Sequence, residues 1–220
     1  HCSINLLDGL TPEVASSFLK SALLLNSSGR AEAFWVDTAT ELIRNALGVL
    51  SYLPGKYSLS HLHEYLFNQR SRADLDAEAL HTLMNLPPDD KRARLLKSYQ
   101  SYHENIFMAF DDKVKSGVNA SVAQILAPFN HPDLVDAFCS WTGEAPDGTP
   151  YFDLKMEQVL DGTIFLVDLP LAQWGLGAKV AYTLIKLRFY NVMQRRNREE
   201  SWNRERPVFF MCDEFQEIVS

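Results

Sequence analysis

The chain of 220 residues is long enough to bury a core in one or two domains, and its composition, with 46% hydrophobic and 22% charged residues, excludes an intrinsically disordered protein. Its net charge of −7 excludes a surface that binds nucleic acid over its whole extent, although a local basic patch is compatible with it. No apolar run comes near the roughly 20 residues that span a bilayer, so we expect any membrane anchor to lie outside this segment.

The start of the chain and its cysteines give two further expectations. There is no initiator Met and no signal peptide at His1, so we expect the sequence to be a segment of a longer protein. The three cysteines, Cys2, Cys139 and Cys212, are odd in number, far apart and unlike any metal-ligand spacing. This usage indicates reduced thiols and a cytoplasmic setting.

Residues 11–140 carry the patterns of a compact all-α domain, preceded by a short linker or strand end over residues 1–10. The first helix has a capping Thr11, a proline at its first position and an acidic first turn. The strongest helix repeats its apolar residues at a spacing of 3.6. In chain order, the first predicted helix starts at Thr11, the second starts near Trp35, and a short third helix follows Ser58. The remaining predicted helices cover residues 74–84, 89–106, 114–126 and 132–139.

The pattern changes in residues 141–220. A loop rich in Gly and Pro over residues 143–150 predicts a domain boundary. The continuous apolar run Thr163–Val167 predicts a strand buried on both faces, as in a parallel sheet. A helix over residues 178–196 and a second strand over Val208–Cys212 complete a predicted right-handed β-α-β unit.

The adjacent carboxylates Asp213 and Glu214 follow the second predicted strand directly. Ligands of parallel α/β sheets bind at the carboxyl ends of the strands. In phosphate-transferring NTPases an Asp at such a place holds Mg²⁺, and the next carboxylate orients and deprotonates the attacking water. We therefore interpret Asp213 as a candidate Mg²⁺ ligand, acting through water, and Glu214 as a candidate catalytic residue; the alternative is a simple strand end.

A phosphate-binding loop that would complete such a site is missing from the sequence. Nothing fits Gly-x-x-x-x-Gly-Lys-Ser/Thr: residues 48–56 have the wrong spacing and lie at the end of a helix. Residues 175–179, Gly-Leu-Gly-Ala-Lys, do lie between a predicted strand and a helix, where a phosphate could bind, but they lack the Lys-Ser/Thr ending. We interpret them as a helix start, with a phosphate loop as the alternative, and expect no tight ATP binding by this segment alone.

Three other groups of residues have a functional and a structural interpretation. A late basic cluster is either a solvated helix end, which we favour, or a subunit interface or DNA-facing patch: Lys186, Arg188, Arg195, Arg196, Arg198, Arg204 and Arg206. His61, His63 and His103 have no metal-ligand spacing and are expected to be ordinary core or surface histidines. Tyr99 and Tyr102 are expected to pack rather than to stack on bases.

Several stretches, in this order, resemble the type IV secretion coupling proteins, the TraG/TraD-like members of the HerA/FtsK motor superfamily. The stretches are residues 3–8, which lead into the all-α domain, the Phe34-Trp35 helix, residues 116–129, residues 161–170, and the Walker B strand Val208–Phe215 with its Asp-Glu-Phe ending. The residue at position 6 is Leu where the family usually has Pro, and residues 55–112 match in character alone.

The resemblance implies an α/β fold in which a helical bundle, the all-α domain, is inserted in a RecA-like P-loop motor domain, with part of the parallel sheet present. It implies a membrane-tethered hexameric ATPase at the cytoplasmic face of the inner membrane that uses ATP and Mg²⁺. Its partners would be secretion-channel components, relaxosome or effector proteins and DNA, with the helical domain recognising substrate. Asp213 would hold Mg²⁺ and Glu214 would activate water. The alternatives are a non-catalytic protein-binding module and another HerA-like or secretion-assembly ATPase.

Overall fold

The computed structural model describes residues 2–25, 33–87, 89–139 and 152–212, and within these ranges the chain is mostly helical. The elements, in chain order, are β1 (Cys2–Ser3), α1 (Pro12–Leu24), α2 (Ala33–Leu50), α3 (Leu59–Phe67), α4 (Gln69–Met84), α5 (Asp90–Asn105), α6 (Asp112–Leu126), α7 (Pro132–Phe138), β2 (Phe152–Asp153) and α8 (Leu171–Arg195). Short 3₁₀ turns cover Phe107–Ala109, Ala127–Asn130 and Met156–Asp161. This mostly helical structure fits the predicted all-α domain.

Side-chain caps explain where several of the helices begin. Thr11 accepts a hydrogen bond from the backbone N–H of Val14, and Ser58 accepts one from His61. Asn68, between α3 and α4, accepts from the backbone N–H groups of both Arg70 and Ser71. Because Asn68 caps α4, this helix begins at Gln69, five residues before the predicted start at position 74.

Helix α2 lies at the centre of the helical domain. It packs against α1, α5 and α6 and contributes the largest set of buried residues of any helix in the described ranges. Its buried positions include Leu42, Ile43 and Leu47, each at most 2% exposed. The apolar residues whose spacing predicted this helix therefore form the face that packs into the core.

Strands β1 and β2 form a short parallel pair in which Cys2 is opposite Phe152 and Ser3 is opposite Asp153. Leu154 also donates its backbone N–H to the carbonyl of Ser3, at 2.7 Å. All the helices from α1 to α7 lie between these two neighbouring strands in the chain. The chain therefore leaves β1, forms the whole helical domain, and then returns to place β2 beside β1.

The predicted β-α-β unit is not formed as expected. Neither Thr163–Val167 nor Val208–Cys212 is a strand, because no described backbone supplies a ladder of hydrogen bonds to either of them. Burial on both faces was also predicted, yet Ile164 is 92% exposed and Leu166 is 91% exposed. The intervening helix α8 is present but begins at Leu171, seven residues before the predicted start.

Within the described ranges, no helix combines the length and the apolar character needed to cross a membrane.

Candidate functional site

The predicted catalytic pair, Asp213 and Glu214, lies outside the described residues, so the structure shows only the segment that leads to it. In this segment Val208 packs against the core, and the ring of Phe210 contacts that of Phe189 on α8 at a centroid distance of 5.1 Å. The alternating residues Phe209 and Met211 are 80% and 92% exposed. One side of the segment therefore lies on α8 and the other side is bare.

Arg196, at the end of α8, fixes the loop that precedes this segment. Its guanidinium donates to the backbone carbonyls of Asn203 and Arg206, each at 2.6 Å. The side chain of Asn203 accepts from the backbone N–H groups of Glu205 and Arg206. The loop is thus held by hydrogen bonds to backbone groups, which fixes its course between α8 and residue 207.

Arg206 also joins the two apolar segments. Its guanidinium lies directly against Gly162, where φ is 102° and where an added Cβ would overlap the guanidinium as it is placed. Gly162 immediately precedes residues 163–167, and Arg206 immediately precedes residues 207–212. The Arg206 side chain therefore connects the residues that precede the two apolar segments, although no ladder of hydrogen bonds between described residues joins the segments themselves.

Most of the basic cluster is occupied by contacts within the chain. Arg188 is 3% exposed, and Arg195 pairs with Glu199 at 2.9 Å while its guanidinium lies 5.1 Å from the ring centre of Trp202. Arg196 is used by the loop described above. Arg198 and Arg204 are exposed. This arrangement favours a structured helix end over a continuous DNA-facing patch.

The two glycines near the start of α8 have structural roles. Gly175 has φ 48° and ψ −120°, so it breaks the helical path after the first turn. Gly177 lies against Pro128, since a Cβ there would be 2.8 Å from the Cβ of that proline. The interpretation of residues 175–179 as a helix start is favoured, because both glycines are explained without a phosphate.

Each of the three singled-out histidines has its own neighbour. His61 Nδ1 is 2.8 Å from the hydroxyl of Ser58, and the His63 ring lies on Phe67 at 4.9 Å. Burial lowers the pKa of both. The described residues contain no group of three or more His, Cys, Asp or Glu side chains placed to hold a metal ion.

His103 belongs to a polar cluster between α3, α4 and α5 that the sequence did not reveal. Its Nε2 is 2.9 Å from Arg72 Nη1, and burial, together with this guanidinium, lowers its pKa to about 4. Nearby, the Tyr65 hydroxyl donates to Asp76 at 2.9 Å, and Gln100 donates to the backbone carbonyl of Asp76. The cluster joins side chains of three consecutive helices over separations of 11, 24 and 31 residues, so no short local spacing signals it.

Comparison with protein-family models, with curated proteins and with solved structures finds no match to this chain. Any functional assignment therefore rests on the residues of this chain and their geometry.

The described part of the chain also contains an open cleft of about 340 Å³. It lies between α3 and the 3₁₀ turn Ala127–Asn130 and is lined by Ser60, His63, Glu64, Phe67, Asn68 and Asn130. Sequence reasoning considered His63 only as a metal ligand and missed this site, because its two walls are more than sixty residues apart. It is separate from the predicted catalytic pair in sequence.

Proposed function

We propose that this chain is part of an ATP-driven motor that delivers DNA or protein substrates to a type IV secretion or conjugation channel, with the helical domain recognising the substrate. The observation that carries the proposal is the parallel pairing of β1 with β2 around the helices α1–α7. A parallel pair separated by a whole helical domain is the geometry of an insertion in a parallel sheet. This supports the motor architecture that the sequence resemblance implies.

The apolar segments 163–167 and 207–212 add a second line of support. Each packs residues against the core and leaves alternate apolar residues bare: Ile164 and Leu166 in the first, Phe209 and Met211 in the second. Soluble proteins rarely leave such surfaces uncovered, and in layered α/β folds a further layer covers them. The pattern fits segments of a larger motor domain.

The proposed chemistry rests on the carboxylate pair. Asp213 would hold Mg²⁺, since carboxylate oxygen is a preferred donor for this ion, and Glu214 would orient and deprotonate the attacking water. The phosphate-binding loop would come from another part of the parent protein. The parent would be a hexamer at the cytoplasmic face of the inner membrane and would contact channel components and relaxosome or effector proteins.

The test is ATP turnover of the full-length parent carrying Glu214→Gln. Because the amide cannot take the proton of water, we expect turnover to fall about 100-fold or more while ATP binding persists. Glu217→Gln, three residues away, is the matched control and should keep normal turnover. Unchanged turnover in Glu214→Gln would overturn the catalytic assignment.

A second candidate function is a protein-binding module without chemistry of its own. The acidic net charge and the cleft on α3 favour it, since both suit a basic protein partner. Two measurements on the full-length parent separate the functions. A binding module would bind its partners equally well with and without ATP turnover, and its Glu214→Gln variant would support normal secretion.

A further inference from the structure

The cleft on α3 is lined by several polar groups, one of which is a carboxylate. Glu64 is exposed at the cleft and forms no ion pair with any described residue. The Ser60 hydroxyl and the Asn130 carboxamide add two further acceptors, and none of the lining residues is a lysine or an arginine. The Asn68 carbonyl is already used to cap α4. The cleft therefore offers acceptors and one negative charge without an internal cation to satisfy them.

Two rings form the apolar wall of the same cleft. His63 and Phe67 are one turn apart on α3, with ring centroids 4.9 Å apart and planes tilted by 46°. Burial lowers the pKa of His63, which favours the neutral imidazole, a form that does not repel a cation. Aromatic faces attract cations, and a planar guanidinium also stacks on them.

We propose that this cleft binds an arginine side chain of a protein partner, with Glu64 as the counter-charge and the His63–Phe67 pair as the stacking wall. A guanidinium presents five donors in a plane, which suits a carboxylate together with hydroxyl and carboxamide acceptors. An anion is disfavoured because Glu64 is the charged group of the cleft, and a purely apolar group would leave the acceptors unsatisfied. The net charge of −7 favours an approaching cationic partner.

This site deepens the proposed function, because it would give the helical domain a way to recognise substrate proteins, and it rests on that recognition role. Its volume of about 340 Å³ is close to the lower limit of roughly 300 Å³ for small-ligand pockets, so it suits one side chain rather than a whole cofactor. A single side chain in an open cleft binds weakly, and affinity for a partner would come from several such contacts.

The test uses two small probes of the same shape and a different charge. N-acetyl-arginine methylamide and its uncharged citrulline counterpart are titrated into the protein, and NMR shifts of the His63 and Phe67 rings are followed. We expect saturable shifts with the arginine probe and roughly fivefold weaker binding of the citrulline probe. Equal binding of the two probes, or no saturable shift of either ring, would overturn the proposal.

Two variants make the assignment specific to the cleft. Glu64→Gln should weaken the arginine probe roughly fivefold, and Phe67→Leu should weaken it roughly threefold by removing the ring. Glu104→Gln, at an exposed glutamate on α5 that does not line the cleft, should leave the affinity unchanged. If Glu64→Gln and Glu104→Gln behave alike, the cleft is not the site. Neither result depends on ATP turnover, so this test and that of Glu214 fail independently.

Discussion

Gly48 of α2 lies directly beneath the ring of Tyr99 of α5, with no space between them for even a methyl group. Tyr99 is 6% exposed, and its hydroxyl lies 3.5 Å from a carboxylate oxygen of Glu13. The glycine in the middle of the central helix therefore allows α5 to approach α2 closely. The aromatic residue considered at first as a base-stacking candidate is a packing residue, as expected.

Gly48→Ala should destabilise the chain by about 1–3 kcal/mol, because the added methyl overlaps the Tyr99 ring. Urea unfolding followed by circular dichroism measures the change. The control is the same substitution in a Tyr99→Ala background, where the space is open and alanine should stabilise the helix by about 1 kcal/mol. Equal effects in both backgrounds would show that the ring is not the obstacle.

Arg188 gives a second prediction, since it is buried and poorly paired. Its Nη2 is 3.7 Å from Glu157, while Nε and Nη1 are buried without hydrogen-bond partners. Burial lowers its pKa, and the carboxylates of Glu157 and Asp8 oppose that effect. Arg188→Met should be neutral or stabilising, whereas Glu157→Gln should cost about 1–3 kcal/mol by leaving the guanidinium without this partner. Thermal unfolding of the two variants checks this order, and the reverse order would contradict it.

The sequence predicted the helical domain well because its signals are local. Thr11 and Ser58 were identified as caps and are caps, and the spacing of apolar residues along α2 matches its buried face. The parallel return of the chain from β1 to β2 could not be predicted, since it joins residues about 150 positions apart through four paired residues.

The errors concern segments whose structure depends on neighbours. Residues 163–167 have the composition of a buried strand, but a strand needs a ladder, and composition does not tell whether a neighbour is present. The start of α8 was predicted at residue 178, after two glycines, whereas only Gly175 leaves the helical path and the helix begins at Leu171. The cleft and the His103 cluster are tertiary sites without a local pattern. The catalytic pair remains a prediction.

His103 predicts a dependence of stability on pH. Its pKa is about 4 in the folded chain and about 6.5 when unfolded, so its contribution is fully present above pH 6.5 and is lost as the pH falls toward 4. The whole difference corresponds to about 3 kcal/mol, and because the side chain is only partly buried we expect on the order of 1–2 kcal/mol. Asp76, whose pKa is raised by burial, acts in the opposite direction.

The measurement for His103 is urea unfolding at pH 7 and pH 4.5, in the wild type and in His103→Gln. The wild type should lose more stability than the variant, and the difference between the two losses isolates His103 from Asp76 and other acids. His81→Gln, at an exposed position on α4, is the control and should follow the wild type. Equal losses in the wild type and in His103→Gln would contradict the assigned shift.

The bare faces of the two apolar segments give the last prediction. Ile164 and Leu166 are over 90% exposed, so changing both to Thr should alter the unfolding free energy of this chain by less than about 0.5 kcal/mol per site. The same change should reduce self-association and binding of an apolar dye, because it removes exposed apolar surface. Val167→Thr and Val208→Thr are the controls: both valines pack on the core, and each change should cost about 1–2 kcal/mol.

In the full-length parent, where we propose that further layers cover the bare faces, changing Ile164 and Leu166 to Thr should become as destabilising as the control changes. If the pair stays neutral in the parent, these faces do not pack into a larger domain.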